Sequence, residues 1–394
     1  MTGLKTHGRR FDSVQYDPLA QHEEDLQICA LDPLKADAVL RQLPKLNLER
    51  DVPGIIALLR TVIPDMETAR TFSRLEATAA LRDLGMFLGS LKKHGVEPVE
   101  VLPQLEPVLL HFGHESDLPP RDTVIHYGVW NPDGERQRLY TVHEEEARLV
   151  DATKIGAIHV HNAIEHLVAL YEIPLVSEDF VPASERVIRE VAGLVDAILY
   201  VAKHVPRKLF AEEIRFYFDP IRIAGKDYLG PGSVETPTYV IDHILWSGQS
   251  TDPEYVQFKR GYIPYAKPWV RELFFRFDGQ PPLLRLVAEA LSITSSHPYL
   301  LASASATLKL IDAMLKFRMP HKKLADEAYT HSATLNPGRT QGSGGYEPSI
   351  LDHIKDLTLQ ARNELKEHIQ AYVQRTGASA DTSALAARQL ASNS

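Results

Sequence analysis

The chain has 394 residues, is 44% hydrophobic and 24% charged, and carries a net charge of -9, the composition of an ordinary globular protein with room for two or three domain-sized units. Scattered Lys and Arg leave no basic footprint for nucleic acid, and the single cysteine, Cys29, excludes an internal disulfide, a cysteine-rich metal or iron–sulfur site, and haem attached through a Cys-x-x-Cys-His pair. No apolar run reaches the length of a membrane span, and the opening MTGLKTHGRRF lacks a signal-peptide core, so a soluble cytoplasmic protein with no nucleic-acid or membrane partner is expected.

Helical periodicity dominates the chain from end to end. Leu81, Leu84, Phe87, Leu88 and Leu91 form a first stripe, with a stop predicted at His94-Gly95. Residues 113 to 140 are rich in Pro, Gly, Asp and Asn, and read as a connection between a smaller amino-terminal helical part and a larger second part. Ile188, Val191, Leu194, Val195, Ile198 and Ala202 form a second stripe that ends near Pro206. Leu301, Ala304, Leu308, Ile311 and Leu315 step by threes and fours up to Pro320, where a stop is expected. Residues 330 to 347 read as a long loop, a kind that usually serves as a lid or a binding loop. Pro348 and Ser349 then open a last helix with Ile350, Ile354, Leu357, Ala361, Leu365 and Ile369 on one face, before an Ala- and Ser-rich tail. Strand patterns are scarce and short, so the expected fold class is all-α.

His321 is the leading candidate for chemistry. With Leu324, Ala325 and Ala328 it falls at i, i+3, i+4 and i+7, an imidazole on the apolar stripe of a helix. By itself that pattern also describes a core histidine with a hydrogen-bond partner. His159 and His161 suggest zinc, but on a helix they point about 200° apart and do not converge on one ion. No histidine follows a glutamate at i+3, so the Glu-x-x-His pattern of di-iron bundles is absent. The stretch from Gly225 to Glu235 lacks the third glycine of a dinucleotide loop, the lysine of a P-loop and a leading strand; it reads as a tight turn that brings backbone close to a ligand or a helix. Phe210 and Arg215, five apart on an expected helix, offer an aromatic and a guanidinium on neighbouring faces, suited to a planar amino acid. A surface arginine near a core phenylalanine is the plainer alternative.

In this order, Lys203 to Phe210, Ile214 to Tyr217, Gly230 to Glu235, the His321 helix, Gly342-Ser-Gly-Gly345 and a final helix resemble the haem-dependent tryptophan and indoleamine dioxygenase superfamily over residues 190 to 370. Longer marks extend the likeness over nearly the whole chain: Asp51-Val-Pro-Gly-Ile55, Arg82 to Gly95, Leu118-Pro-Pro-Arg121, Val129-Trp-Asn-Pro132, Tyr228-Leu-Gly-Pro-Gly232 and Gly342 to Tyr346. Within the superfamily these resemble the monodechloroaminopyrrolnitrin synthase family. The resemblance implies a dioxygenase-like helical bundle, with a smaller amino-terminal part (residues 1–130), a haem-binding domain (131–375) and a disordered tail (376–394). It implies a non-covalent haem b with His321 as proximal ligand and an acceptor behind the ring's second nitrogen. Arg215 is implied for a substrate carboxylate or a haem propionate, and Phe210 for the distal pocket beside an indole. Tyr329 and Ser343 are implied as contacts to a bound tryptophan, and Gly230, Gly232, Ser233, Gly342 and Gly344 as backbone contacts to the cofactor.

Two departures from the family pattern stand out. Leu335-Asn-Pro-Gly338 lengthens the loop after Tyr329, and His161 and Asn162 sit on a segment resembling a distal-pocket helix whose relatives carry small or apolar side chains. The implied activity is rearrangement of L-tryptophan or 7-chloro-L-tryptophan to an aminophenylpyrrole, with dioxygen or peroxide as oxidant and an unidentified electron donor. The alternative is a tryptophan or indoleamine 2,3-dioxygenase forming N-formylkynurenine, or a related haem oxygenation of an aromatic amino acid. A haem sensor or carrier without turnover, and a cofactor-free helical scaffold, are the other classes.

Overall fold

The computed structural model describes residues 18–232, 236–335, 346–347 and 349–378. The fold is all-α, as its periodicity predicts, and no helix among the described residues is long and apolar enough to cross a membrane. The described strands are Ile221–Ile223 and Lys226–Tyr228, an antiparallel pair in which Ile221 faces Tyr228 and Ile223 faces Lys226. Ala224 and Gly225 close it with φ of 49° and 76°, the left-handed pair that a two-residue hairpin turn requires. A strand therefore does lead into the Gly230 segment, contrary to the sequence reading. Three residues are too few for alternation to register.

Two apolar cores organise the helices. The amino-side core is built around the helix Arg74–Lys93, which a Ser73/Glu76 capping box starts and His94 and Gly95 (φ 78°) end, as predicted. Every residue from Ala77 to Leu91 on it is buried. This core also takes in Leu149, Val150 and the stretch from Val205 to Ile223, so its membership crosses residue 130. The carboxyl-side core joins Glu144–Tyr171, Phe180–His204, Pro268–Phe277, Leu283–Ile293 and Pro298–Leu335.

The polar stretch from 113 to 140 links these parts, but residues 118 to 132 are buried rather than laid over the surface. Most of its buried polar groups are paired internally, with His126 Nε2 an exception. Arg121 donates to the Asp219 and Tyr228 carbonyls (3.0 and 3.3 Å), and Asn131 donates to the Tyr127 and Arg138 carbonyls (2.9 and 3.0 Å). Arg82 and Arg138 flank buried Asp83, each with Nε within 2.9 Å of its carboxylate. Buried polar backbone is tolerable only when paired in this way.

The helix Pro298–Leu335 does not stop at Pro320 but runs through it. Proline removes the hydrogen bond to the Lys316 carbonyl and normally breaks a helix. Here an ion pair from Arg318 to Asp242 and the stacking of Phe317 on His321 tie the interrupted turn to its surroundings. Because the helix continues to Leu335, the segment expected as a loop from residue 330 begins later. Residues 336–345 and 379–394 lie outside the described part, as does most of the expected tail.

Candidate functional site

A cavity of about 240 Å³ lies where the Glu144–Tyr171 and Phe180–His204 helices meet the His321 helix and the short segments Arg207–Phe218 and Thr236–Asp242. One wall is made of small and aliphatic side chains, including Ala152, Gly156, Ala157 and Ala197. Seven aromatic residues complete the lining: Phe210, Tyr239, Tyr255, Phe258, Phe317, Tyr329 and Tyr346. Three arginines (Arg207, Arg215 and Arg318) and one carboxylate, Asp242, are its charged members. The balance of charge favours an anionic guest.

Four residues singled out by sequence, Phe210, Arg215, His321 and Tyr329, line this one cavity. The His321 ring stacks on Phe317 with centroids 5.3 Å apart and planes 13° from parallel. Burial, helped by the nearby Arg318 charge, draws the imidazole pKa down to about 4, so the ring is neutral at physiological pH. Neither ring nitrogen has a hydrogen-bond partner among the described residues, so the acceptor expected behind the ring is not found there. Leu324, Ala325 and Ala328 continue the stripe along the same wall.

Phe210 and Arg215 do not share a helix. The helix Arg207–Glu212 ends at Glu213, whose φ of -129° and ψ of -65° leave the helical region, and a 3₁₀ turn, Ile214–Phe218, carries Arg215. Arg215 is buried (2% exposed), and its guanidinium carbon lies 5.8 Å from the centre of the Tyr329 ring. The Tyr329 hydroxyl donates to the Tyr346 carbonyl at 3.4 Å.

Sequence reasoning missed the group beside His321. Arg318, one helical turn earlier, is ion-paired with Asp242; the Tyr255 hydroxyl donates to the same carboxylate at 2.5 Å and Trp246 Nε1 at 3.0 Å. All but Trp246 line the cavity. The spacing of Arg318 from His321 was visible, but nothing local points to Asp242, 76 residues away. Arg207, also unassigned, donates from Nε to Glu327 at 2.7 Å and from Nη1 to the Ala202 carbonyl, which ties two walls together.

His159 and His161 point to different neighbours, as helical spacing requires. His159 Nδ1 lies 2.8 Å from the Glu190 carboxylate, which also accepts from Asn162 at 3.3 Å. The ring fills a notch at Gly193, where a Cβ would stand 2.3 Å from His159 Nε2. His161 is buried edge-on to Trp269 at 5.4 Å, and burial followed by the Lys267 charge holds its pKa well below the usual imidazole range. The segment does line the cavity, through Ala152 to Ala157, but His161 and Asn162 do not.

Gly230 and Gly232 are buried but are not among the lining residues. A Cβ on Gly230 would lie 2.6 Å from the Phe218 carbonyl oxygen, so its closest neighbour is the Arg215 turn. Ser233, Gly342, Ser343 and Gly344 lie outside the described residues. No group of three or more His, Cys, Asp or Glu among the described residues is placed to hold a metal, which leaves His321 as a lone nitrogen donor at the cavity.

The family model described as monodechloroaminopyrrolnitrin synthase PrnB matches residues 25–376 of this chain.

Proposed function

The chain belongs to the monodechloroaminopyrrolnitrin synthase family, a family of pyrrolnitrin-biosynthesis enzymes, and from that premise we propose a haem-dependent enzyme that rearranges L-tryptophan or 7-chloro-L-tryptophan to an aminophenylpyrrole. The observation that carries this reading is His321, a neutral imidazole with no hydrogen-bond partner among the described residues, on the wall of an aromatic cavity that also holds Arg215, Phe210 and Tyr329. A single neutral nitrogen is too few for a metal held by protein alone, but it suits an iron that arrives in its own macrocycle. With Arg318 paired to Asp242 and Arg207 to Glu327, the three arginines leave one net positive charge toward a carboxylate. The donor set and the charge of the cavity therefore fit haem b.

Haem b, when bound, supplies the redox chemistry with dioxygen or peroxide, and draws on an electron donor yet to be identified. The chain's own residues bind and orient. Arg215, itself buried, holds the substrate carboxylate through a charge-assisted bond worth about 1.5–3 kcal/mol. Phe210 and Tyr329 present ring faces and edges to the indole, and the small side chains of Ala152, Gly156 and Ala197 leave room beside it. Ser343, which the resemblance implies as a further contact to the indole N–H or the carboxylate, lies outside the described residues. A displacement of about 1 Å of the reacting carbon costs on the order of a hundredfold in rate, so these contacts decide the product.

The test is an optical titration of the purified protein, ferric and ferrous, with L-tryptophan. A Soret band that shifts on tryptophan addition is expected. A Soret band indifferent to tryptophan would point to a sensor or another substrate, and no Soret band after expression with adequate haem would overturn the reading.

A further inference from the structure

Phe210 and Arg215 reach one cavity only because the chain turns sharply between them. On an unbroken α-helix, five residues apart means about 140° apart, further round than the neighbouring faces expected from the sequence, and one of the two would face away. The break sits at Glu213. One bond within the segment and several contacts from outside it hold the break. Glu213 N–H donates to the Leu209 carbonyl at 3.0 Å, while its own carbonyl accepts from Lys93 Nζ at 3.3 Å. The Glu213 carboxylate stands 3.9 Å from the same ammonium and 3.3 Å from His143 Nε2.

The far end of the turn is gripped by the same helix. Lys93 Nζ lies 4.4 Å from the centre of the Tyr217 ring, which in turn stacks on Tyr140 at 4.4 Å. Gly89, one turn before Lys93, lets the Tyr217 backbone approach so closely that a Cβ would stand 2.5 Å from its carbonyl oxygen. Residues on both sides of Arg215 are thus fixed to the end of the helix Arg74–Lys93. None of Lys93, Glu213 and His143 lines the cavity, so their effect on a guest passes through Arg215.

We propose that Lys93 and Glu213 are positioning residues for Arg215, which set its guanidinium to select guests that carry a carboxylate beside an aromatic ring. The proposal rests on the assignment of Arg215 to the substrate carboxylate. Its test is calorimetric titration of the full-length, haem-loaded protein with L-tryptophan and with tryptamine, which keeps the indole and the ammonium but lacks the carboxylate.

The natural protein should bind L-tryptophan at least about tenfold more tightly than tryptamine, and R215A should erase that ratio. K93M keeps the methylene stem over Tyr217 but removes the charge. It should collapse the ratio toward one with tryptamine affinity unchanged, and K93R should restore it. E213Q, which keeps shape and backbone contact while removing the ion pair to Lys93, should give an intermediate ratio. If K93M and E213Q keep the full ratio while R215A loses it, the positioning role is wrong. Equal weakening of both ligands would also overturn it, as mere structural damage. If R215A keeps the ratio, the carboxylate assignment itself fails and takes the proposal with it.

Discussion

His321→Ala is expected to weaken haem binding by more than about a hundredfold, while the fold survives nearly unchanged. Loss of groups that merely support a metal ligand already costs about 10–100-fold, and His321 is the one nitrogen donor proposed for the iron. Its structural contribution is small by comparison. The ring is only partly buried, has no hydrogen-bond partner among the described residues, and gives up little beyond its stacking on Phe317. Haemin titration followed at the Soret band checks the first half, and thermal unfolding by circular dichroism the second. Added imidazole should restore much of the band by occupying the space that the side chain leaves. A variant that takes up haem stoichiometrically with an unaltered spectrum would remove His321 from the site.

Asp242→Ala is expected to cost about 3–5 kcal/mol of stability, because it leaves Arg318 buried without its counter-ion. Asp242 is fully buried and Arg318 is 8% exposed, so bulk water replaces the lost contact poorly. Tyr255 and Trp246 lose their acceptor in the same step. The double replacement D242A/R318M removes both charges and should recover much of the loss, since an ion pair exchanged for apolar side chains is often close to neutral. Urea denaturation of the two variants measures the difference. A single variant within about 1 kcal/mol of the natural protein would mean that Arg318 finds another partner. The pair also matters to the site, because Arg318 precedes His321 by one turn across Pro320, where the helix lacks a hydrogen bond of its own.

Most of the helical architecture was legible because burial imposes a 3.6-residue period that survives in the sequence. The stripes of Leu81–Leu91 and Ile188–Ala202 fall on the helices Arg74–Lys93 and Phe180–His204. Pro320 misled for the opposite reason. A local rule predicted a stop, and a tertiary ion pair to Asp242 overrode it. The break at Glu213 could not be read either, since its backbone is held by Lys93, 120 residues away. For the site, the apolar stripe and the resemblance pointed to His321, Phe210, Arg215 and Tyr329, and the structure places all four on one cavity. Asp242 and Arg207 escaped notice because the charged groups they pair with, Arg318 and Glu327, lie 76 and 120 residues away. His161 and Asn162 drew attention by their residue types, yet the helix turns them toward Trp269 and Glu190 instead of the cavity.

The most direct measurement is mass spectrometry of the products formed by the haem-loaded protein from L-tryptophan and 7-chloro-L-tryptophan, supplied either with dioxygen and a reductant or with peroxide alone. Rearrangement to an aminophenylpyrrole predicts a product lighter than its substrate by carbon dioxide and two hydrogens, with the chlorine retained. A product heavier by two oxygen atoms would show indole ring opening to N-formylkynurenine, and would contradict the rearrangement while leaving the haem site in place.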